Sequence, residues 1–112
     1  MEHIVWDDFK KVEIRVGTIV EANDFPEAIK PAYQLKVDLG EKTGIKQSSA
    51  QITDLYSKED LIGKQVVVVV NFLPKKIGPF LSECLVAGFY AENKEVVLAV
   101  PDKNLKNGTR LA

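Results

Sequence analysis

The stretch VEIRVGTIVEAND, residues 12–24, alternates apolar and polar side chains until Gly17, and then Ile19 and Val20 break the alternation. Alternation predicts a half-buried β-strand. A glycine followed by a change of phase indicates a bulge or a sharp bend in that strand. A strand bent in this way can belong to two sides of a small barrel. The sequence therefore predicts a β-barrel built around this strand.

The other patterned segments follow in an order that fits one such barrel. They are two strands, one or two helical turns and then two or three apolar strands, at residues 33–40, 45–52, 53–64, 65–72, 83–91 and 95–100. Segment 65–72 barely alternates, which predicts a strand buried on both faces. We expect an all-β fold, a five-stranded Greek-key barrel of the OB type with a short helix between strands 3 and 4. An N-terminal helix and a C-terminal extension complete it, whereas a β-sandwich would need about seven strands.

Length and composition are those of one soluble globular domain covering residues 1–112. Hydrophobic residues make up 46% of the chain and charged residues 28%, which is ordinary for such a domain. The single cysteine, Cys84, excludes an internal disulfide and fits a reducing compartment. No secretory leader and no apolar run of about 20 residues is present, so we expect a cytoplasmic protein without membrane insertion.

The charge is nearly balanced overall but unevenly distributed. The net charge of −1 argues against a protein that coats nucleic acid through bulk charge. Residues 1–28 carry seven acids against three bases, whereas residues 61–82 carry three lysines, Lys64, Lys75 and Lys76, and no acid. A small basic face on an acidic body suits a selective anionic partner.

Residues for catalysis are scarce. His3 is the only histidine and lies near the start of the sequence. One histidine and one cysteine, Cys84, do not give a metal cluster of the usual spacing. Cys84 lies in an apolar strand, which is typical of a small buried hydrophobe rather than a nucleophile. No phosphate-binding loop or dinucleotide fingerprint is present. We therefore expect no enzyme activity, no metal and no cofactor.

Two stretches are candidates for binding. IKQSSAQIT, residues 45–53, combines hydroxyl and amide groups with one lysine, a mixture that binds phosphate oxygens and sugar hydroxyls. The alternative is a polar edge strand that leads into a helix cap.

The second stretch is NFLPKKIGPFLSE, residues 71–83, which we call the elbow. It places Lys75 and Lys76 beside Phe72 and Phe80, as proteins that bind single-stranded nucleic acid do. The alternative is a solvated turn whose phenylalanines point into the core. In an OB barrel the two stretches are expected to line one groove.

Several longer stretches resemble a known family. RVGTIVEANDFPEA, GIKQSSAQIT, LIGKQVVVVVNF and SECLVAG resemble the tRNA-binding domain family of OB folds. Within that family, IKQSSAQIT and VNF.P..I..F.SE.LV.G resemble the CsaA branch of export-related molecular chaperones. The resemblance covers residues 9–110. It implies a homodimer, structured tRNA as a ligand and, for this branch, binding of unfolded or precursor polypeptides.

The resemblance also implies which residues bind. The tRNA-binding positions fall on Lys46, Ser48, Ser49, Gln51, Asn71, Lys75, Lys76, Ser82 and Glu83. The candidates for a polypeptide ligand are the apolar residues of the elbow, Phe72, Leu73, Ile77, Phe80 and Leu81. The N-terminal helix and C-terminal strands are implied to pack between subunits, which gives Trp6, Phe9, Leu105 and Leu111 as dimer-interface residues.

Two functions follow. The favoured one is a dimeric chaperone for unfolded or precursor polypeptides that also binds tRNA, and the alternative is a dedicated binder of structured tRNA. The family often has arginine where Lys75 and Lys76 stand, and a lysine cannot hold a phosphate in a bidentate way. Leu73 and Leu81 add apolar side chains to the same stretch, so these differences favour an apolar peptide.

Overall fold

The computed structural model describes every residue, 1–112, and contains nine strands and three short helices. In chain order the elements are α1 (Trp6–Lys10), β1 (Ile14–Asp24), β2 (Tyr33–Asp38), α2 (Gly40–Thr43), β3 (Ile45–Ala50), α3 (Lys58–Leu61), β4 (Gln65–Val69), β5 (Lys75–Ile77), β6 (Phe80–Ser82), β7 (Leu85–Val86), β8 (Gly88–Tyr90) and β9 (Val96–Leu98). None of the helices has the length and apolar composition of a membrane span.

Five strands form the barrel in the order β3-β2-β1-β4-β7, and all neighbours pair antiparallel. The first four strands stand in the spatial order of a Greek key. The hairpins β5–β6 and β8–β9 are separate from this sheet. Since α3 lies between β3 and β4, the predicted OB-type barrel with its intervening helix and N-terminal helix is confirmed.

The bend predicted in the first strand is a bulge at Val20. Ile19 pairs with Val37, but the next pair joins Glu21 to Lys36, so Val20 has no partner opposite it. Before the bulge β1 pairs with β4, and from Thr18 onward it pairs with β2. The bulge therefore lets one strand serve two sides of the barrel, as expected from its change of phase.

Gly17 is required by close packing beneath β2. A Cβ atom at this position would lie 2.5 Å from Val37 Cγ1 and 2.7 Å from Leu39 Cδ2. It would also lie 3.0 Å from the backbone oxygen of Asp38. Because backbone and core side chains surround the position, no larger residue fits without moving β2.

The core fills the barrel with twelve buried residues: Ile19, Leu35, Val37, Leu39, Ala50, Ile52, Leu61, Val66, Val68, Cys84, Val86 and Leu98. On β4 the expectation of burial on both faces was wrong. Val66 and Val68 are fully buried, whereas Val67 and Val69 are only half-buried. The reason is that the barrel core covers the inner face of β4 alone.

The C-terminal extension lies against the first half of β1. Gly108 donates its N–H to the oxygen of Val16 at 2.7 Å, and Leu111 donates to the oxygen of Ile14 at 2.9 Å. The guanidinium of Arg15 also donates to the oxygen of Gly108 at 3.1 Å. These bonds occupy the early part of β1, so the extension is an integral part of the fold.

Candidate functional site

The elbow folds as a hairpin that stands apart from the barrel sheet. Lys75 pairs with Ser82, Lys76 with Leu81 and Ile77 with Phe80. Gly78 forms the turn at φ +57°, a conformation that glycine adopts without strain. The two lysines are exposed, and as neighbours in a strand they point to opposite faces of the hairpin.

Phe80 anchors this hairpin. Its side chain is buried with Phe25 and Ala32, and its ring centroid lies 5.3 Å from that of Phe25. Ile77, its cross-strand partner, packs against the same cluster. The expectation that Phe80 faces a peptide is therefore corrected, because the ring is covered by the loop after β1.

Three other apolar residues of the elbow remain in contact with solvent. Leu73 is 91% exposed, Phe72 57% and Leu81 43%. They lie on the same segment as Lys75 and Lys76, so the elbow presents apolar and cationic side chains together. This combination is the main candidate binding surface.

The polar stretch of β3 holds the elbow in place. Glu83 donates its N–H to the oxygen of Gln47 at 2.8 Å, and the Glu83 carboxylate accepts from the Gln47 N–H at 3.1 Å. The Gln47 side chain donates to the oxygen of Leu81 at 2.8 Å. Ser82 Oγ accepts from the N–H of Ser49 at 3.1 Å. The two predicted stretches therefore meet, and we call this contact the β3–β6 junction.

The junction engages Ser82 and Glu83 within the chain, and the tRNA contact implied for them by resemblance stays a prediction. Their side-chain oxygens accept from two backbone N–H groups on the edge of β3, so they are engaged within the chain. A buried or half-buried donor left without an acceptor would be costly. Both residues thus position the elbow.

Ser48 lies inside the barrel rather than on the binding face. It is 1% exposed, and its hydroxyl donates to the oxygen of Cys84 at 2.8 Å. Ser49, its neighbour in the strand, points outward and is half-exposed. The expected contact of Ser48 with tRNA is corrected, because alternation along β3 turns its side chain inward.

Cys84 has the environment expected of a buried hydrophobe. Burial raises the pKa of its thiol to about 11, and the neighbouring Glu83 carboxylate acts in the same direction. A thiol with such a pKa is protonated at neutral pH and is a poor nucleophile. No group of three or more potential metal ligands forms elsewhere in the chain.

Asn71 joins the start of the elbow to the N-terminal segment. Its side-chain amide donates to the oxygen of Lys11 at 2.6 Å and accepts from the N–H of Glu13 at 2.9 Å. Both halves of the amide are therefore used within the chain. Asn71 positions the end of β4, and its contact with tRNA stays a prediction.

The remaining predicted polar residues keep side chains available to a ligand. Lys75, Lys76 and Gln51 are exposed, and Lys46 and Ser49 are half-exposed. Their side chains make no hydrogen bond or salt bridge within the chain. These five residues are the part of the predicted tRNA-binding set that the fold leaves free.

A cleft that the sequence reasoning missed lies beside the junction. Residues 49–52 face residues 85–90 across a space of about 400 Å³, which we call the seam cleft. Phe89 and Tyr90, on its rim, are 69% and 83% exposed. The sequence did carry a signal, since two adjacent aromatic residues in one strand point to opposite faces and cannot both enter one core.

A second apolar surface lies at the chain termini. Trp6, Phe9, Val12, Ile14 and Leu111 line a groove of about 350 Å³ together with the stems of basic residues, and we call it the terminal groove. The rings of Trp6 and Phe9 lie 5.4 Å apart. Three of the four predicted interface residues therefore meet in one place.

The fourth predicted interface residue, Leu105, lies elsewhere. Its backbone exchanges hydrogen bonds with the side chain of Gln65 at the start of β4, and its side chain is 44% exposed. It is absent from the lining of the terminal groove. Arg110, which lines the terminal groove, forms a salt bridge with Glu13 at 3.3 Å. Hydrogen bonding from Arg15 and the charge of Arg110 lower the pKa of Glu13.

Comparison with known proteins agrees with this geometry. The family described as putative tRNA binding domain matches residues 14–110. The chain is 49% identical to the CsaA chaperone protein of Picrophilus torridus, with a TM-score of 0.93, over 98% of this chain and 100% of that one. For the chaperone CsaA of Bacillus anthracis the identity is 47% and the TM-score 0.93, over 99% and 100% of the two chains.

A longer relative shares the same domain. The methionine–tRNA ligase of Thermococcus onnurineus is 40% identical over an alignment of 112 positions that covers 99% of this chain. The chain spans only 15% of the length of that ligase. The match over residues 14–110 covers all five strands of the barrel and most of its C-terminal extension. The chain therefore belongs to the tRNA-binding domain family of OB folds, and within that family it is similar to the CsaA branch.

Proposed function

We propose that this chain is a dimeric chaperone that binds unfolded or precursor polypeptides and has a second capacity to bind tRNA. The observation that carries the proposal is the elbow, where the exposed Leu73 lies on the same short segment as Lys75 and Lys76. Apolar side chains take up apolar segments of unfolded chains, and the lysines attract phosphate. The similarity to CsaA chaperones over the whole chain supports this choice.

The proposed peptide surface consists of the exposed apolar residues of the elbow. Phe72, Leu73 and Leu81 contact the polypeptide, while Phe80 and Ile77 hold the hairpin against the loop after β1. The role is binding without a catalytic step. We place the protein in the cytoplasm, since its single cysteine fits a reducing compartment. The role in export follows from the resemblance to the CsaA branch.

The proposed tRNA surface uses the free polar residues on the same side. Lys46, Lys75 and Lys76 contact phosphates, and Ser49 and Gln51 bond to riboses or bases. Ser48, Asn71, Ser82 and Glu83 act indirectly by fixing β3 and the elbow. With three lysines on this surface in each subunit, we expect modest affinity that depends on the shape of folded RNA.

The proposed dimer forms through the terminal groove. Trp6 is 66% exposed and Leu111 49% exposed, although both are large apolar residues next to Phe9. A second copy that covers this groove would remove them from water. Two copies also give two shallow peptide sites, which increases avidity without tight single sites.

A dedicated tRNA-binding protein is the second candidate. It is favoured by the exposed lysines of the elbow and by the family match over residues 14–110. In this case the apolar residues of the elbow would contact bases rather than a polypeptide. The two functions predict different effects of a saturating unfolded polypeptide. It displaces tRNA from a chaperone that binds both ligands at the elbow, and it leaves tRNA bound to a dedicated tRNA-binding protein.

The test is a titration of the purified protein with bulk tRNA in the presence and absence of a reduced, carboxymethylated unfolded protein. We expect both ligands to bind and to compete, because the elbow serves both. Binding of tRNA should weaken as salt rises. Binding of tRNA without any binding of the unfolded protein would overturn the chaperone proposal in favour of the alternative.

A pair of charge-reversal variants makes the titration specific. Lys75→Glu with Lys76→Glu should abolish the shift of tRNA in a gel, because the elbow loses its positive charge. Lys103→Glu with Lys106→Glu changes the net charge equally at exposed positions in the C-terminal extension, and should keep most of the shift. Equal losses in both variants would mean that the elbow is not the RNA site.

A further inference from the structure

The barrel is joined along only part of its closing edge. Its sheet ends at β3 on one side and at β7 on the other, with no strand pairing between them. At one point the N–H of Glu83 bonds to the oxygen of Gln47 at 2.8 Å. Beyond this bond the two edges separate and enclose the seam cleft of about 400 Å³.

One wall of the cleft is an unpaired strand edge. Ala87 donates its N–H to Val67 and accepts from Ala99, and Ala91 donates to Glu95. These residues direct their backbone groups toward β4 and β9. Because successive residues of a strand direct their backbone groups to opposite sides, Gly88 and Tyr90 direct theirs into the cleft.

The opposite wall has the same property. The N–H groups of Gln47 and Ser49 point toward the β3–β6 junction, where side chains accept them. Gln51 lies two residues farther along, on the same side of the chain, and neither its N–H nor its oxygen has a backbone partner. The seam cleft thus has unpaired N–H and C=O groups on both sides.

The lining determines what kind of ligand fits. None of the eleven lining residues is charged, and eight of them are hydrophobic. A phosphate group would find no cation there, so a nucleic acid backbone is unsuited to this cleft. An extended polypeptide supplies alternating N–H and C=O groups to an open strand edge, and apolar side chains to its surroundings.

We propose that the seam cleft binds an extended, uncharged and apolar segment of a client polypeptide, which adds as a strand to the edge formed by Gly88 and Tyr90. The proposal rests on the polypeptide-binding function proposed above and gives that function a site separate from the elbow. The side chain of Phe89, on the rim, covers the bound segment. The terminal groove, and not this cleft, serves the second copy of the chain, because three of the four predicted interface residues, Trp6, Phe9 and Leu111, line that groove.

The experiment compares two substitutions at the same residue. Tyr90→Pro removes the side chain and the edge N–H, whereas Tyr90→Ser removes the side chain and keeps the N–H. Binding of a labelled ten-residue peptide of alternating leucine and serine, with blocked ends, is measured by fluorescence anisotropy. We expect Tyr90→Pro to bind about fivefold to tenfold more weakly than Tyr90→Ser, the effect of one backbone hydrogen bond.

Two further variants separate the cleft from the elbow. Phe89→Ser should weaken peptide binding about tenfold or more, as truncation of a central aromatic contact does, and Leu73→Ser should have a smaller effect on this peptide. If Phe89→Ser and Tyr90→Pro bind like the unchanged protein while Leu73→Ser loses binding, the cleft proposal is overturned and the chaperone function stands with the elbow as its site. If the unchanged protein binds the unfolded protein but not this peptide, the cleft proposal alone is overturned, and if it binds neither, both proposals fail.

A measurement on the unchanged protein guards against variants that fold poorly. Peptide binding should slow amide hydrogen exchange at Gly88 and Tyr90, because these N–H groups become paired. Unchanged exchange at a saturating peptide concentration would overturn the proposal. A larger fraction of monomer in Phe89→Ser than in the unchanged protein, measured by light scattering, would mean that a second copy covers the cleft and would also overturn it.

Discussion

Gln47 and Glu83 are joined by two hydrogen bonds of different kinds. The Glu83 N–H donates to the backbone oxygen of Gln47 at 2.8 Å, and the Gln47 N–H donates to the Glu83 carboxylate at 3.1 Å. The second bond uses a side chain where a regular pair of strands would use a carbonyl. Glu83 therefore connects the elbow to the barrel at the point where strand pairing stops.

Removal of this carboxylate should destabilise the protein. In Glu83→Ala the half-buried N–H of Gln47 loses its acceptor, which costs about 1–3 kcal/mol. The free energy of unfolding is measured by urea denaturation. Glu92→Ala, at an exposed position in the turn before β9, is the control and should change it by less than about 0.5 kcal/mol. Equal stability of the two variants would mean that the carboxylate does not support the junction.

Phe80 should matter for stability and Leu73 should not. Phe80→Ser removes a buried ring that packs on Phe25, so we expect a loss of about 3–5 kcal/mol or local unfolding of the hairpin. Leu73→Ser, at a side chain 91% exposed, should stay within about 0.5 kcal/mol. Denaturant midpoints followed by circular dichroism test this difference. A mild effect of Phe80→Ser would show that the ring is free in solution and would return it to the peptide surface.

The terminal groove should control the oligomeric state. Trp6→Ser removes its largest apolar side chain, and we expect a folded monomer at micromolar concentration, as measured by light scattering. Ile29→Ser, at a fully exposed apolar residue outside the groove, should remain a dimer. A monomer in the unchanged protein, or a dimer in Trp6→Ser, would contradict the assignment of this interface.

The stability of the protein should depend on Cys84 at alkaline pH. The folded pKa of about 11 is higher than the ordinary value of 9.0, so the unfolded state loses the thiol proton first as pH rises. The stabilising contribution is complete below pH 9 and is lost between about pH 9 and 11. Cys84→Ala is the comparison, because it lacks the thiol and keeps every other ionisable group of the chain. The unchanged protein should lose more stability than Cys84→Ala over this interval, and parallel curves would refute the burial effect.

Local patterns were sufficient to predict the barrel. Gly17 and the change of phase at Ile19 and Val20 predicted a bent first strand, and the structure has a bulge at that point. The sequence also indicates which residues of β3 face the core. Ser48, Ala50 and Ile52 share one parity and are all buried, so the apolar members of the set indicate that Ser48 points inward.

Other features depend on contacts between residues far apart in the sequence. Asn71 bonds to Lys11 and Glu13, which lie 60 and 58 positions away, and no local pattern indicates that pairing. The same holds for Phe80. It is buried, unlike Phe72, because its ring packs on Phe25 in a loop distant in sequence. Sequence patterns predict secondary structure and its faces, whereas these choices are made by tertiary packing.

The bonds of the C-terminal extension have a consequence for folding during synthesis. Ile14 and Val16, near the start of the first strand, receive hydrogen bonds from Leu111 and Gly108. A growing chain on the ribosome therefore cannot complete this strand until residue 111 has emerged from the exit tunnel. Until then the early part of β1 keeps an open edge, which is prone to pairing with other chains. Complete folding thus takes place after translation of this domain, and slow release of its last residues would prolong the period in which it can aggregate.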